Sequence, residues 1–129
     1  MEFVVLEISP YGSYSYKNAS NIPMCYLGCF LTSDIGCCER SLSMESHKKW
    51  VSDNSVDALA GNISYVEKGN GIVLIGDLYS EKKVPIKLKM SREQFIKLLD
   101  DWRDKVCKKM PKEVIIKHEN GQFTIETSG

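Results

Sequence analysis

Hydrophobic and polar positions alternate with two periods along this chain, and the change of period marks out its elements. Glu2–Ile8 is rich in Val, Leu, Ile and Phe and predicts a first strand. Pro10, Gly12 and several serines end it. Tyr14 and Tyr16 then alternate with Ser13 and Ser15, the period of two that gives a strand one apolar face. After a polar loop over residues 18–23, Met24–Leu31 is apolar at nearly every position, which reads as a central strand buried on both faces. Thr32–Gly36 turns the chain. Leu42, Met44, His47 and Trp50 predict a weaker helix over about 39–51, and Ser52–Ala60 reads as a connection.

The second half is more regular. Asn62–Lys68 and Ile72–Ile75 flank Gly69-Asn70-Gly71, and Asn-Gly between two strand-like runs signals a tight hairpin because both positions tolerate positive φ. The same context disposes of Gly69, Gly71 and Gly76 as a phosphate loop, since such a loop must leave a strand and open a helix. Asp77–Tyr79 prolongs the second run, and Lys83–Met90 alternates as a further strand. Ser91-Arg-Glu-Gln94 has the form of a capping box. Phe95, Leu98, Leu99, Trp102 and Val106 then form one apolar stripe at helical spacing, which predicts a strong amphipathic helix over about 92–109, with Pro111 as its stop. Glu113–His118 and Gln122–Thr127 close the chain as a hairpin through Asn120-Gly121. The fold class expected is α+β, a mainly antiparallel sheet packed against the strong helix and the weaker one.

A length of 129 residues suits a single domain over 1–129, long enough to bury roughly two-thirds of the surface that the unfolded chain exposes. Hydrophobic residues make up 43% and charged residues 26%, which excludes a disordered tail or a coiled coil. No apolar run approaches the ~20 residues of a membrane-spanning helix, and the acidic start is unlike a secretory signal. A cytoplasmic location is the expectation. Net charge is zero, but residues 1–60 hold seven acids against four bases, while residues 61–129 hold ten acids against thirteen bases. The bases are interspersed with acids, unlike the basic excess of a nucleic-acid binder.

Chemistry-bearing motifs are sparse. Of the five cysteines, Cys25 and Cys29 would lie about 13 Å apart on one face of a strand, too far for one zinc ion or a disulfide. An odd cysteine count without an export signal points to reduced thiols. Cys37 and Cys38 are the expected exposed pair, and His47 is the one histidine that could join either in a thiol–imidazole dyad. Asp100 and Asp104 share a helix face and repel unless a cation lies between them. His118, beside a turn, is expected to be exposed. No catalytic, cofactor or metal-binding set emerges, and the chain does not read as an enzyme.

Four stretches carry a resemblance: Gly61-Asn-Ile-Ser-Tyr-Val-Glu-Lys-Gly69, Asp77-Leu-Tyr-Ser-Glu81, Leu88 through Trp102, and Pro111-Lys-Glu-Val-Ile-Ile116. In wording and order they resemble small immunity proteins of bacterial contact-dependent growth inhibition and related polymorphic toxin systems. The likeness covers about residues 61–127. It implies a cytoplasmic antidote that binds a cognate toxin domain, commonly a nuclease such as an RNase, and covers its active site. No functional residue carries over, because such families share no binding motif. Physical argument supplies candidates instead: a basic nuclease cleft would accept carboxylates as phosphate mimics, with aromatic anchors beside them. The candidate acids are Asp34, Glu39, Glu45, Asp53 and Asp57, and the candidate anchors are Tyr11, Tyr14 and Trp50. Two further readings stand beside this one: an α+β interaction module or subunit with a non-toxin partner, and a small enzyme using Cys37 or Cys38 with His47.

Overall fold

The computed structural model describes residues 1–37, 43–53, 56–61, 63–78 and 87–128. Among these residues the chain forms strands β1 (Glu2–Ile8) and β2 (Tyr14–Ala19), helices α1 (Ile22–Cys29) and α2 (Ser43–Ser52), and strands β3 (Ala58–Ala60), β4 (Ser64–Gly69), β5 (Ile72–Asp77) and β6 (Leu88–Ser91). Helix α3 (Arg92–Asp101) and strands β7 (Glu113–Glu119) and β8 (Gln122–Ser128) complete it. The fold class is α+β. The strands divide into two antiparallel sheets, ordered β2-β1-β7-β8 and β3-β4-β5-β6, where the sequence suggested one.

The second sheet is built from neighbours in sequence, the first from the two ends of the chain. Val4 pairs with Ile116 and Leu6 with Val114, so β1 is completed only when β7 arrives. Both expected hairpins are present, with φ of 54° at Asn70 and 75° at Gly71, and 54° at Asn120 and 76° at Gly121. The period of two holds where one face meets the core. Val4 and Leu6, Val114 and Ile116, and Phe123 and Ile125 point inward from the first sheet, and Val73, Ile75, Leu88 and Met90 from the second. The strand expected over Lys83–Met90 is seen at Leu88–Ser91, and residues 79–86 lie outside the described residues. Ala58–Ala60, expected as connection, pairs with β4.

Met24–Leu31 is the main correction. It is helical: α1 runs to Cys29 and continues as a widened π-helical turn over Phe30–Ile35. Asn21 caps the start, its side-chain oxygen accepting the Met24 amide at 2.9 Å, with Pro23 in the first turn. The helix packs against β1 and β2 of one sheet and β5 and β6 of the other. A helix enclosed in this way is apolar all round and shows no amphipathic period, so it imitates a buried strand. Met24, Leu27, Phe30 and Leu31 are fully buried, each worth about 1.5–3 kcal/mol as an upper estimate.

Helix α3 matches its stripe. Phe95, Leu98, Leu99, Trp102 and Val106 are all buried, with a second π-helical stretch over Trp102–Cys107. The Ser91 hydroxyl accepts the Gln94 amide at 3.1 Å. The other half of the capping box is not made: the Gln94 carboxamide reaches across to accept the Phe123 amide at 3.1 Å and docks α3 on β8. The weaker helix lies at Ser43–Ser52, a few residues beyond the expected start.

Gly28 marks the closest approach of α1 to the first sheet, where a Cβ would lie 2.8 Å from Val4 Cγ2. On an exposed helix Gly→Ala stabilises by up to about 1 kcal/mol. Gly28→Ala is expected to reverse that sign and destabilise by about 1–3 kcal/mol through overpacking, read from urea unfolding. A gain in stability would contradict the packing of α1 on β1.

Candidate functional site

The turn between β1 and β2 is braced from within. The Ser9 hydroxyl accepts the amides of Tyr11 at 3.2 Å and Ser13 at 3.3 Å, the Gly12 amide donates to the Ser9 carbonyl at 3.0 Å, and Gly12 adopts a φ of 83°. This places Tyr11 at the tip with its side chain 96% exposed. Beneath it lies a hollow of about 310 Å³ lined by Tyr11, Tyr14, Thr32, Gly36, Trp102 and Met110, among others. Its floor is rigid. Tyr14 and Trp102 meet edge to face at a centroid distance of 5.9 Å, the Tyr14 hydroxyl donates to the Pro111 carbonyl, and the Trp102 indole donates to the Gly36 carbonyl at 3.1 Å. Met110 is held at a φ of 49° by its amide's 2.7 Å bond to the Val106 carbonyl.

Cys37, in the wall of this hollow, is joined by a disulfide to Cys107, their Cα atoms 5.0 Å apart. The expectation of reduced thiols is corrected for this pair, and with it the reading of Cys37 as half of a dyad with His47. Cys38 lies outside the described residues. Cys25 and Cys29 remain thiols. They sit one helical turn apart on α1, so the strand-based separation of about 13 Å does not apply. Burial, together with the neighbouring Cys25 thiol and the Asp77 and Asp34 carboxylates, pushes the Cys29 thiol up to about 11. It is therefore neutral and unreactive near neutral pH. Among the described residues no group of three or more potential ligands could hold a metal ion.

Of the candidate anchors, the structure brings Tyr11 and Tyr14 together and leaves Trp50 elsewhere. Tyr14 is largely buried in the floor of the hollow, and Trp50 is a core residue away from it. The Trp50 indole donates to the Val56 carbonyl at 2.8 Å, and its ring lies under the Lys68 ammonium. The acids scatter. Asp34, 9% exposed, accepts the amides of Ile63 at 3.2 Å and Ser64 at 3.0 Å. A Cβ at Gly61 would come within 2.6 Å of its carboxylate. Asp34 thus pins the end of the π-helical turn to the start of β4, its carboxylate engaged within the chain. Asp53 is ion-paired with Lys68 at 3.3 Å. Asp53 and Asp57 share a polar hollow of about 180 Å³ at the Asn70-Gly71 turn, with Lys68 and Arg92. Glu45 is exposed in the first turn of α2, where the helix dipole favours an acid. Glu39 lies outside the described residues.

Charge on α3 is neutralised locally. Arg103 lies 3.3 Å from Asp100 and 2.9 Å from Asp104, Lys48 reaches Asp100 at 2.7 Å, and Lys108 reaches Asp104 at 3.4 Å. These are the intervening cations that the Asp100–Asp104 spacing called for. Their Arg103 and Lys108 partners hold the Asp104 carboxyl below its ordinary range. His118 is half-buried where exposure was expected. It stacks on Phe123 at 4.1 Å and pairs with Glu2 at 2.8 Å, and the Asn21 amide together with His118 draws the Glu2 carboxyl downward.

The residue that sequence reasoning missed is Met110. Its signal was the Lys-Met-Pro ending of the strong helix, where the last residue before a proline must leave helical geometry. No known protein family, curated protein or solved structure matches the chain. Among the described residues no helix is long and apolar enough to cross a membrane.

Two expectations follow. The disulfide closes a separation of 70 residues, so reduction, or Cys37→Ser with Cys107→Ser, should lower stability by about 2–4 kcal/mol. Unfolding curves with and without reductant measure this, and coincident curves would show that the bond contributes nothing. Burial also lowers the pKa of His47 from its ordinary 6.5, against an opposing bond to the Ser43 carbonyl. The unfolded chain therefore takes up this proton at higher pH than the folded one. Stability should fall as pH drops from the ordinary His47 value toward its folded one, and His47→Gln should flatten that slope. Urea midpoints between about pH 5 and about pH 7.5 test it; equal slopes would contradict the burial of His47.

Proposed function

We propose that this chain is an immunity protein that binds and neutralises a cognate toxin domain, and that its contact surface is centred on the Tyr11 tip and the hollow below it. The observation that carries this reading is the exposure of Tyr11 on a braced turn above an aromatic floor. A large ring held in water by a rigid turn gains free energy when a partner desolvates it, and little ordering entropy opposes the gain. Met110, which also lines the hollow and is partly exposed, is a second apolar group of the kind found at interfaces. The resemblance of residues 61–127 to immunity proteins supplies the kind of partner, a toxin domain of nuclease type.

Carboxylate mimicry takes a smaller part than charge alone suggested. Asp34 is buried and Asp53 is engaged by Lys68, which leaves Glu45 and Asp57 as exposed acids among the candidates described. Scattered surface charges of this kind act on encounter rate more than on the lifetime of a complex. The protein neutralises its toxin by seating an aromatic anchor and excluding substrate from the covered surface.

Tyr11→Ala is expected to weaken binding to a toxin domain encoded beside this chain's gene, once that domain is identified by co-purification, by about 10–100-fold, with Tm unchanged because the side chain touches little. Glu45→Lys with Asp57→Lys should slow association by less than about tenfold and leave dissociation nearly constant. Stopped-flow and calorimetric titration separate the two effects. Unchanged affinity in Tyr11→Ala would overturn the surface; capture of a non-toxin protein alone, with no rescue on co-expression with the toxin, would overturn the function and favour an interaction module.

A further inference from the structure

Each partner of the disulfide stands at the end of a π-helical stretch. The turn over Phe30–Ile35 closes with the 2.8 Å bond from the Gly36 amide to the Leu31 carbonyl, and Cys37 is the next residue. The stretch Trp102–Cys107 closes with the 3.0 Å bond from the Lys108 amide to the Arg103 carbonyl, and Cys107 is its last residue. Wide turns of this kind are rare and occur frequently at functional sites. Here two of them are stapled to each other across a separation of 70 residues. They and the residues that end them supply Thr32, Gly36, Cys37 and Trp102 to the hollow below Tyr11.

The staple also stands beside the contact that holds the floor. The Trp102 indole donates to the Gly36 carbonyl at 3.1 Å, and the Cys107 sulfur lies 3.5 Å from the same oxygen. A disulfide sulfur carries no hydrogen, so Cys107 does not compete with the indole for it; a reduced Cys107 presents an S–H there. Both half-cystines are half-buried rather than enclosed, and Cys37 lines the hollow, which offers a thiol an approach to the bond in the folded chain.

Taking the Tyr11 surface as the toxin contact, on which this rests, we propose that the Cys37–Cys107 bond is a redox control on the hollow, opened in the folded chain by a dithiol reductant, and that the open form holds a toxin domain less tightly. A thiolate of the reductant attacks the Cys37 sulfur to give a mixed disulfide, and Cys107 leaves as a thiolate and takes a proton. The second thiol of the reductant then displaces Cys37, which takes the other proton, and the reductant departs as its own disulfide. Two electrons and two protons thus pass to the chain. Lys105, Lys108 and Lys109 flank Cys107 in sequence and favour its departure as a thiolate. Without the staple the two wide turns are free to separate, the Cys107 S–H competes for the Gly36 carbonyl, and Trp102 loses its fixed place in the floor. A partner must then order what the oxidised form presents already ordered.

Dithiothreitol is the probe, and the two tryptophans supply the readout. Peptide-mapped alkylation is expected to find Cys37 and Cys107 reduced while circular dichroism stays native, at a rate proportional to the dithiothreitol concentration. A rate that levels off at that of global unfolding would overturn the proposal. After reduction the Trp102 indole N–H is expected to gain at least about tenfold more in exchange rate than that of Trp50, which is bonded to the Val56 carbonyl away from the hollow. Equal acceleration at both, the mark of a bond that adds only global stability, or no change at either, would overturn it. The chain carrying Cys37→Ser and Cys107→Ser, open without any reductant, is expected to bind a toxin domain identified by co-purification at least about tenfold more weakly than the oxidised wild type; should it fail to fold, the reduced wild type takes its place. Equal affinity of the open and closed forms would overturn the redox control whatever Tyr11→Ala does, whereas an unchanged affinity in Tyr11→Ala alone overturns the Tyr11 surface.

Discussion

The enclosure of α1 between two sheets is the constraint on which the rest of the structure depends. The two sheets share no strand pairing, and helix α1 packs against strands of both. α1 does so through β1 and β2 and through β5 and β6, α3 through β8 and through β5 and β6, and the two helices supply the common core. Met24, Leu27 and Leu31 are fully buried there, and Gly28 lets its backbone approach Val4 and Leu6. The π-helical turn that follows carries the constraint outward. Asp34 takes two amides at the start of β4, and Gly36 receives the Trp102 indole, so α1 fixes both the second sheet and the end of α3.

This geometry decides what the surface can offer. The hollow under Tyr11 draws its floor and walls from the β1–β2 turn, the residues after the π-helical turn, and the far end of α3, joined by a disulfide. Segments distant in sequence are therefore held in one arrangement before any partner arrives, and a preformed surface loses little ordering entropy on binding. Elsewhere, opposite charges are matched close to home, as around Asp100 and Asp104.

What was legible in the sequence was local. The Asn70-Gly71 and Asn120-Gly121 turns carry their own backbone chemistry, and the Phe95–Val106 stripe faces a core on one side only, so each announces itself within a few residues. The α1 segment did not, because enclosure erases amphipathic period; Asn21 and Pro23, a cap and a first-turn proline, were the surviving helix signals. Pairing of β1 with β7 and of Cys37 with Cys107 joins positions far apart in the chain, where periodicity carries no information. Among the candidate acids, residue type says nothing of burial. Asp34 lies on a buried turn and Glu45 on an exposed one, and only tertiary structure separates them. Tyr11 was named as a candidate anchor, but its exposure at the tip of the β1–β2 turn is seen only in the structure.

Residue-resolved amide exchange with backbone chemical shifts over residues 22–35 tests the central claim most directly. Helical shifts, with Leu27, Gly28 and Leu31 amides exchanging only through global unfolding, are the expected result. Strand-like shifts, or exchange of these amides through local opening well below the global unfolding free energy, would contradict a core organised around an enclosed helix.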